Sequence, residues 1–321
     1  SRLEMKKQYL NLEGTLHFDV DSQFLFEETF CRPSEFPAKL DLYDKNQPSY
    51  YQALNLGNVI LGLKYCMSDG RLCLNVYSEK KRDPEALGQA EEEIRFRLSL
   101  DRCDSLFYDE YVDDRFVGEI IKKSRGRLKF VKYSLYENLM VAVFLQNATV
   151  QRTISMCHNM LSKYGTLLCF DEIEIFAMWR PEDLRATDEE LRELKVGYRA
   201  KNILRITEHF VNDSVSESAL RELPTDKLEK ELLKIYGVGK QTVFYVMGRA
   251  EYLKHISLWE RKILSKYIFD EELCEEKYLV NWFHEQYHQW CGLAFSLVFE
   301  DIFFQHRAKP FPWLKRIMRE D

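Results

Sequence analysis

An α+β fold, an antiparallel β-sheet domain at the N-terminus followed by a mainly helical body, is predicted by three features of this sequence. Before residue 100, short segments alternate apolar and polar side chains, the period of a half-buried strand. Beyond about residue 104, apolar side chains recur at three- and four-residue intervals, the period of an amphipathic helix. Within that helical region the apolar run Leu232–Tyr236 breaks at Gly237-Val238-Gly239 and resumes at once from Lys240. With 321 residues, 45% hydrophobic and 14% aromatic, the chain can hold two or three packed subdomains.

The N-terminal elements follow in order. Leu16-His17-Phe18-Asp19-Val20 alternates, Asn58–Tyr65 is an apolar run, and Arg71–Tyr77 alternates after a Ser68-Asp69-Gly70 turn. All three read as strands, the last two as a hairpin. Pro33, Pro37 and Pro48 mark loops between them. Pro84–Arg97 reads as a helix, with Leu87, Ala90, Ile94 and Leu98 on one face.

In the helical body, Tyr111–Lys123 carries Val112, Phe116, Ile120 and Ile121 at helical spacing and is ended by Gly126. Tyr136–Gln146 places Leu139, Ala142, Val143 and Gln146 on one face, so Gln146 is expected near the buried side. The helix Val150–Tyr164 stops at Gly165, and Arg180-Pro181 opens another after a loop. Thr187-Asp188-Glu189-Glu190 caps the next helix, and Pro224-Thr225 starts the one that enters the Gly-Val-Gly turn. Trp282–Arg307 reads as a helix pair with Gly292 in its middle, and Lys309–Trp313 as an ordered cap.

The turn has chemistry of its own. A helix that restarts after two glycines presents a line of backbone N–H groups, which is an anion site, and Lys240 adds positive charge beside it. Gly237 and Gly239 are read as permitting unusual φ and a close approach of a phosphodiester. The bland alternative is a helix corner used only for packing. A net charge of −6 argues against coating nucleic acid by bulk charge, but Arg199, Lys201, Lys234, Lys240, Arg249, Lys254, Arg261, Lys262 and Lys266 form a local basic set. No apolar run spans a bilayer, and Ser1–Lys7 is not followed by a signal-peptide core, so an intracellular protein (cytoplasm, nucleoid or nucleus) with no membrane partner is expected. The eight cysteines form no Cys-x-x-Cys pair; reduced thiols and no zinc site are expected.

Four landmarks occur in a fixed order: Gln146-Asn147-Ala148-Thr149, Gly197-Tyr198-Arg199-Ala200-Lys201, Gly237-Val238-Gly239, and Ser257-Leu258-Trp259-Glu260-Arg261-Lys262-Ile263. In order and spacing they resemble the helix-hairpin-helix DNA glycosylase superfamily, in its 8-oxoguanine and alkylpurine branch. The resemblance implies an N-terminal domain over 1–104, a helical subdomain from 105–131 with 266–321, and a second, hairpin-bearing one over 132–265. It further implies a base-excision-repair DNA glycosylase, a monomer that binds double-stranded DNA and flips out a damaged, oxidised or alkylated purine. Implied DNA contacts are Gln146, Asn147 (which enters the duplex), Gly237, Val238, Gly239, Lys240 and Arg261. For Gln146, and for Asn147 as a helix C-cap, a purely structural reading stands beside this. Aromatic candidates for a base pocket are Tyr133, Phe144, Trp259 and Phe295, out of a wider set that includes Tyr198, Phe244 and Tyr245. A monovalent cation held by hairpin carbonyls is implied as an option; the iron-sulfur cluster of some relatives is not expected, since only Cys274 and Cys291 follow the catalytic region.

Both catalytic positions depart from the family. Bifunctional relatives carry a Schiff-base lysine where this chain has Gln241, and Lys240 stands one residue, about 100° of helix, away. The catalytic aspartate position is occupied by Ser257, which opens a capping box with Glu260 but carries no charge. Three accounts of Ser257 stay open: a protein that binds lesions without excising them, an introduced inactivating substitution, or another acid in the role, with Glu260 nearest in sequence. The function expected is therefore a monofunctional glycosylase if active, or a catalytically inactive lesion-binding or DNA-architectural protein.

Overall fold

The computed structural model describes residues 5–34, 38–102, 104–212 and 214–320. Ser1–Glu4, Pro37 and Cys103, all part of the sequence reading, lie outside them. The chain begins with β1 (Lys6–Tyr9), β2 (Asn11–Phe18), α1 (Phe26–Phe30), β3 (Asp41–Asp44), β4 (Ser49–Asn55), β5 (Ile60–Ser68), β6 (Arg71–Ser78) and α2 (Pro84–Arg97). Strands β2-β6-β5-β4-β3 form one antiparallel sheet, and the predicted 68–71 hairpin closes with Ser68 opposite Arg71. Ala86, Ala90, Ile94 and Leu98 of the α2 segment lock onto the sheet's Leu61, Leu63, Leu72, Leu74 and Val76. Strands β3 and β4 escaped the sequence reading, because Tyr50, Tyr51 and Gln52 are buried in succession and break the alternation that marks a strand.

The body continues with α3 (Ser105–Tyr111), α4 (Gly118–Ser124), α5 (Leu135–Leu145), α6 (Val150–Tyr164), β7 (Thr166–Phe170), β8 (Ile173–Ala177), α7 (Asp188–Glu193), α8 (Arg199–Val211), α9 (Glu217–Arg221), α10 (Thr225–Leu233), α11 (Lys240–Met247), α12 (Leu258–Phe269), α13 (Glu276–Tyr287), α14 (Cys291–Ala308) and α15 (Pro312–Glu320). Three expectations are corrected. The single helix over Tyr111–Lys123 is two, because Asp114 turns back to accept the N–H groups of Phe116 and Val117 at 2.9 Å. The loop after Gly165 is a β-hairpin, turned by Asp171 and Glu172 at φ 47° and 63°, and it pairs in parallel with β1. The tail after Lys309 is a helix, with Leu314 fully buried.

Two cores organise the helical body. One gathers α5, α6, α8, α10 and α11; the other joins Phe107–Ile121 to the chain beyond Leu253. The chain passes between cores at Tyr252–Leu253, earlier than residue 266, because Ile263 and Leu264 of α12 are buried in the second core. Gly292 permits that crossing: a Cβ there would meet the Tyr252 carbonyl oxygen at 2.5 Å.

Candidate DNA-binding and base-excision site

The hairpin is built as its glycines suggest, but the two have different duties. Gly237 sits at φ +76°, where a Cβ would also press on Asn202 at 3.2 Å, so glycine is required by the backbone. Gly239, the N-cap of α11, has an ordinary φ of −100° and would place a Cβ in open space. Its absent side chain leaves the approach to the helix end clear. Val243 N–H is the first to close, on Gly239 O at 3.0 Å, so the N–H groups of Lys240, Gln241 and Thr242 precede the helical ladder. Val238 is buried beneath them, while Lys240 and Gln241 are exposed. Lys240 lines a cavity of about 300 Å³ with Glu229, Tyr252, Lys254 and His255. Gln241 does not line it.

A second exposed feature lies at the α5–α6 corner. Gln146 is the half-buried C-cap of α5, and Asn147 follows at φ +46°, exposed, before Thr149 caps α6 by accepting the Arg152 N–H at 3.2 Å. The corner is held from below by Arg199, which is 1% exposed. Its guanidinium donates to Val143 O at 3.1 Å and to Gln146 O, satisfying carbonyls that the end of α5 leaves open. Burial lowers the Arg199 pKa without removing its charge. Its neighbour Tyr198, weighed in the sequence as a pocket aromatic, is half exposed beside Asn147, with the Asn147 Nδ2 donating to its hydroxyl at 3.5 Å.

The basic set splits once side chains are placed. Arg199, Arg249 and Arg261 hold backbone carbonyls, Arg261 donating to Cys274 O at 2.9 and 3.2 Å. Lys234, Lys254 and Lys266 pair with Glu231, Glu229 and Asp270. Lys201 stands outside these pairs, 5.8 Å over the Tyr236 ring, with Arg205 at 5.1 Å on the same ring. Tyr236 thus gathers cations beside the hairpin. Nothing in the spacing of Arg205 marked it.

Ser257 forms the predicted capping box: its Oγ accepts the Glu260 N–H at 3.2 Å, and Glu260 Oε1 accepts the Ser257 N–H at 3.0 Å. Burial pushes the Glu260 carboxyl up, against the two hydrogen bonds from Ser257. A second acid, overlooked in the sequence, reaches this turn from α13. Glu276 Oε1 accepts the Ile256 N–H at 2.9 Å and lies 3.3 Å from His255 Nδ1.

The four pocket aromatics do not converge. Trp259, half-buried, meets Phe299 and Phe303 at 5.6 and 5.7 Å, and Phe299 stacks on Phe295 at 5.9 Å. Phe244 of α11 packs on Phe295 at 5.3 Å and touches both helical cores, so these rings line the seam between the subdomains. Phe144 is fully buried in the first core, and Tyr133 packs at that core's margin.

No family model matches the chain. The curated N-glycosylase/DNA lyase of Saccharomyces cerevisiae is 27% identical over 131 residues, 37% of this chain, and the match spans 35% of that relative's length. Among solved structures, MBOgg1 in complex with a low-affinity DNA ligand aligns with a TM-score of 0.70 at 16% identity, covering 94% of this chain and 99% of that one. The Clostridium acetobutylicum 8-oxoguanine glycosylase/lyase, bound to double-stranded DNA with cytosine opposite 8-oxoG, gives 0.67 at 14% identity over 94% and 99%. The 3-methyladenine DNA glycosylase of Archaeoglobus fulgidus gives 0.65 at 15% identity over 92% and 99%. The fold of this chain is that of the helix-hairpin-helix DNA glycosylases. The solved structures it is similar to include an 8-oxoguanine glycosylase/lyase and a 3-methyladenine DNA glycosylase.

Proposed function

We propose that this chain is a base-excision-repair DNA glycosylase-like protein that binds duplex DNA as a monomer and extrudes a damaged purine, oxidised or alkylated. The observation that carries the reading is the Gly237–Gly239 turn, whose open Gly239 and ladder-free N–H groups present a phosphate site at the start of α11. The exposed left-handed Asn147 and its neighbour Tyr198 supply a wedge to fill the space an extruded nucleotide leaves. The turn's backbone carbonyls are the proposed donors for a monovalent cation; Ile235 O accepts the Val238 N–H at 3.1 Å and keeps a second lone pair. No iron-sulfur cluster enters the reading.

Gln241 has no amine, so no Schiff base forms there and the proposed reaction is hydrolysis by water. Ser257 supplies no charge to an oxocarbenium-like transition state, and Glu260 is committed to its cap. Losing such a preorganised charge costs about 10²- to 10³-fold in rate. That commitment favours the second reading, a catalytically silent lesion-binding or DNA-architectural protein.

Single-turnover base release from duplexes carrying 8-oxoguanine, hypoxanthine or alkylated purines separates the two, run on this chain and on Ser257→Asp. An aspartate caps α12 as well as serine does, so the fold is retained. Release by the aspartate form alone is the expected outcome, and it names the base. Release by both would assign the charge to another acid, with Glu276→Gln the next variant. Release by neither, with lesion binding retained, would leave the silent reading; loss of all duplex affinity would sink both.

A further inference from the structure

A cavity of about 580 Å³ opens where the N-terminal domain meets the helical body, lined by the Asp21–Gln23 loop, Ser99, Arg102, Tyr108 and the 125–129 segment. Four cations face it, Arg102, Arg125, Arg127 and Lys129, against Asp21 and Asp104. Those acids are already engaged: Asp21 accepts the Gln23 N–H at 2.8 Å, and Asp104 pairs with Arg102 at 3.1 Å. Arg125 turns to Asp109. Arg127 lies 4.9 Å over the Phe304 ring, and among the described residues no carboxylate accepts a hydrogen bond from its guanidinium. Lys129 Nζ donates to a neutral acceptor, Gly248 O, at 3.2 Å.

The cost of this arrangement is visible in Lys129. Burial first, and then the Arg102 charge with Arg32 behind it, brings its pKa down to about 7, against the opposing pull of Asp104 and Glu251. Burial likewise lowers Arg127, with Glu300 pulling the other way. Arg127 and Lys129 are half-buried cations with no carboxylate hydrogen-bonded to them among the described residues, and an anion that joins them offsets their desolvation. Two guanidinium forks and an ammonium offer more donors than a single carboxylate can use, and match an oxyanion with several acceptor oxygens.

We propose that this junction cavity is a binding site for a phosphate-class oxyanion, held by Arg102, Arg127 and Lys129. It is separate from the phosphate contact proposed at the hairpin: Gly248 and Gly239 terminate opposite ends of α11, roughly 13.5 Å apart by helical rise. The site goes beyond the glycosylase reading and does not rest on it. The oxyanion has two sources, a free phosphate monoester or a backbone phosphate of bound DNA.

The test is lysine acylation of the whole protein at pH 7 with residue-by-residue mass mapping, in inorganic phosphate against chloride at matched ionic strength. A bound anion raises the Lys129 pKa, and a one-unit rise from about 7 lowers its neutral, reactive fraction about fivefold. We expect saturable protection of Lys129, with exposed Lys122 and Lys123 unchanged, and its loss in Arg127→Met. If duplex DNA protects Lys129 and phosphate displaces that duplex, the source is the backbone; if phosphate protects while the duplex stays bound elsewhere, it is a free anion. A parallel reading, independent of reagent access, is the phosphate-induced rise in Tm, expected in the native chain and absent in Lys129→Met. Lys129 reactivity and Tm both insensitive to phosphate beyond chloride would overturn the proposal.

Discussion

Gly237 and Gly239 look alike in sequence, yet opposite outcomes are expected on substitution. Gly237→Ala forces a side chain into the left-handed region against Asn202 and should cost about 1–2 kcal/mol, read as a lowered urea midpoint. Gly239→Ala meets no atom and has an ordinary φ, so stability should stay within about 0.5 kcal/mol. Its methyl group nevertheless stands where a phosphate would approach, and duplex affinity should fall about tenfold, the worth of one charge-assisted hydrogen bond. Unchanged DNA binding by a folded Gly239→Ala would remove the hairpin from the interface. Arg199 is the complementary case, a cation that serves the backbone. Arg199→Met leaves the α5 carbonyls without their buried donor and should cost about 3 kcal/mol of unfolding free energy.

Among elements, the join of the N-terminal domain to the body rests on a charged clamp between α2 and α9. Arg221 donates to both oxygens of Glu93, at 2.8 and 2.9 Å, and to Glu217 at 3.0 Å; Arg97 donates to Glu93 at 2.8 Å, and the Arg221 guanidinium lies 3.7 Å from the centroid of the Phe96 ring. Burial alone would raise the Glu93 carboxyl, but Arg221 and Arg97 outweigh it and hold it below the usual range. The sign follows from that lowered pKa: the clamp contributes above about pH 4.3, the unfolded value, and weakens as pH falls through the folded one. Glu93→Ala removes the carboxylate that two arginines share, leaving Arg221 on Glu217 and Arg97 on the Lys132 carbonyl, and should cost about 3 kcal/mol at pH 7, with the difference from the native chain shrinking in acid. Chemical denaturation at pH 7 and pH 3 checks both parts. The second join, β1 alongside β7, is invisible to local pattern, since a parallel pairing of Lys6 with Thr166 has no short-range signature. Asp171 ties it to the main sheet by accepting from Tyr51 at 2.7 Å and pairing with Lys64 at 2.7 Å.

At the scale of the molecule, a net charge of −6 and a small cationic rim make a specific prediction about DNA binding. With Lys201, Arg205 and Lys240 beside the hairpin amides, the affinity for duplex should fall with salt at a log–log slope of about −3. Fluorescence anisotropy from 50 to 300 mM KCl measures it, and a slope near zero would mean that the duplex is not held through phosphates.

What the sequence determined by itself is local. The extent of α2, the capping boxes at Thr187 and Ser257, the Gly-Val-Gly corner and the order of the four landmarks follow from side chains acting on their own stretch of backbone. That position 257 carries no carboxylate and position 241 no amine was equally legible, because it depends only on residue identity. The tertiary structure decided what each cation does. Nine basic residues cluster in the chain, but packing commits Arg199, Arg249 and Arg261 to carbonyls, pairs three of the lysines with acids, and brings in Arg205, which no motif marked. It also decided that Phe144 is core while Phe244 and Phe299 reach the seam, and that Glu276 meets the turn before Ser257. Burial and electrostatic partners are set by segments remote in sequence, and helix periodicity gives a residue's face without naming what will cover it.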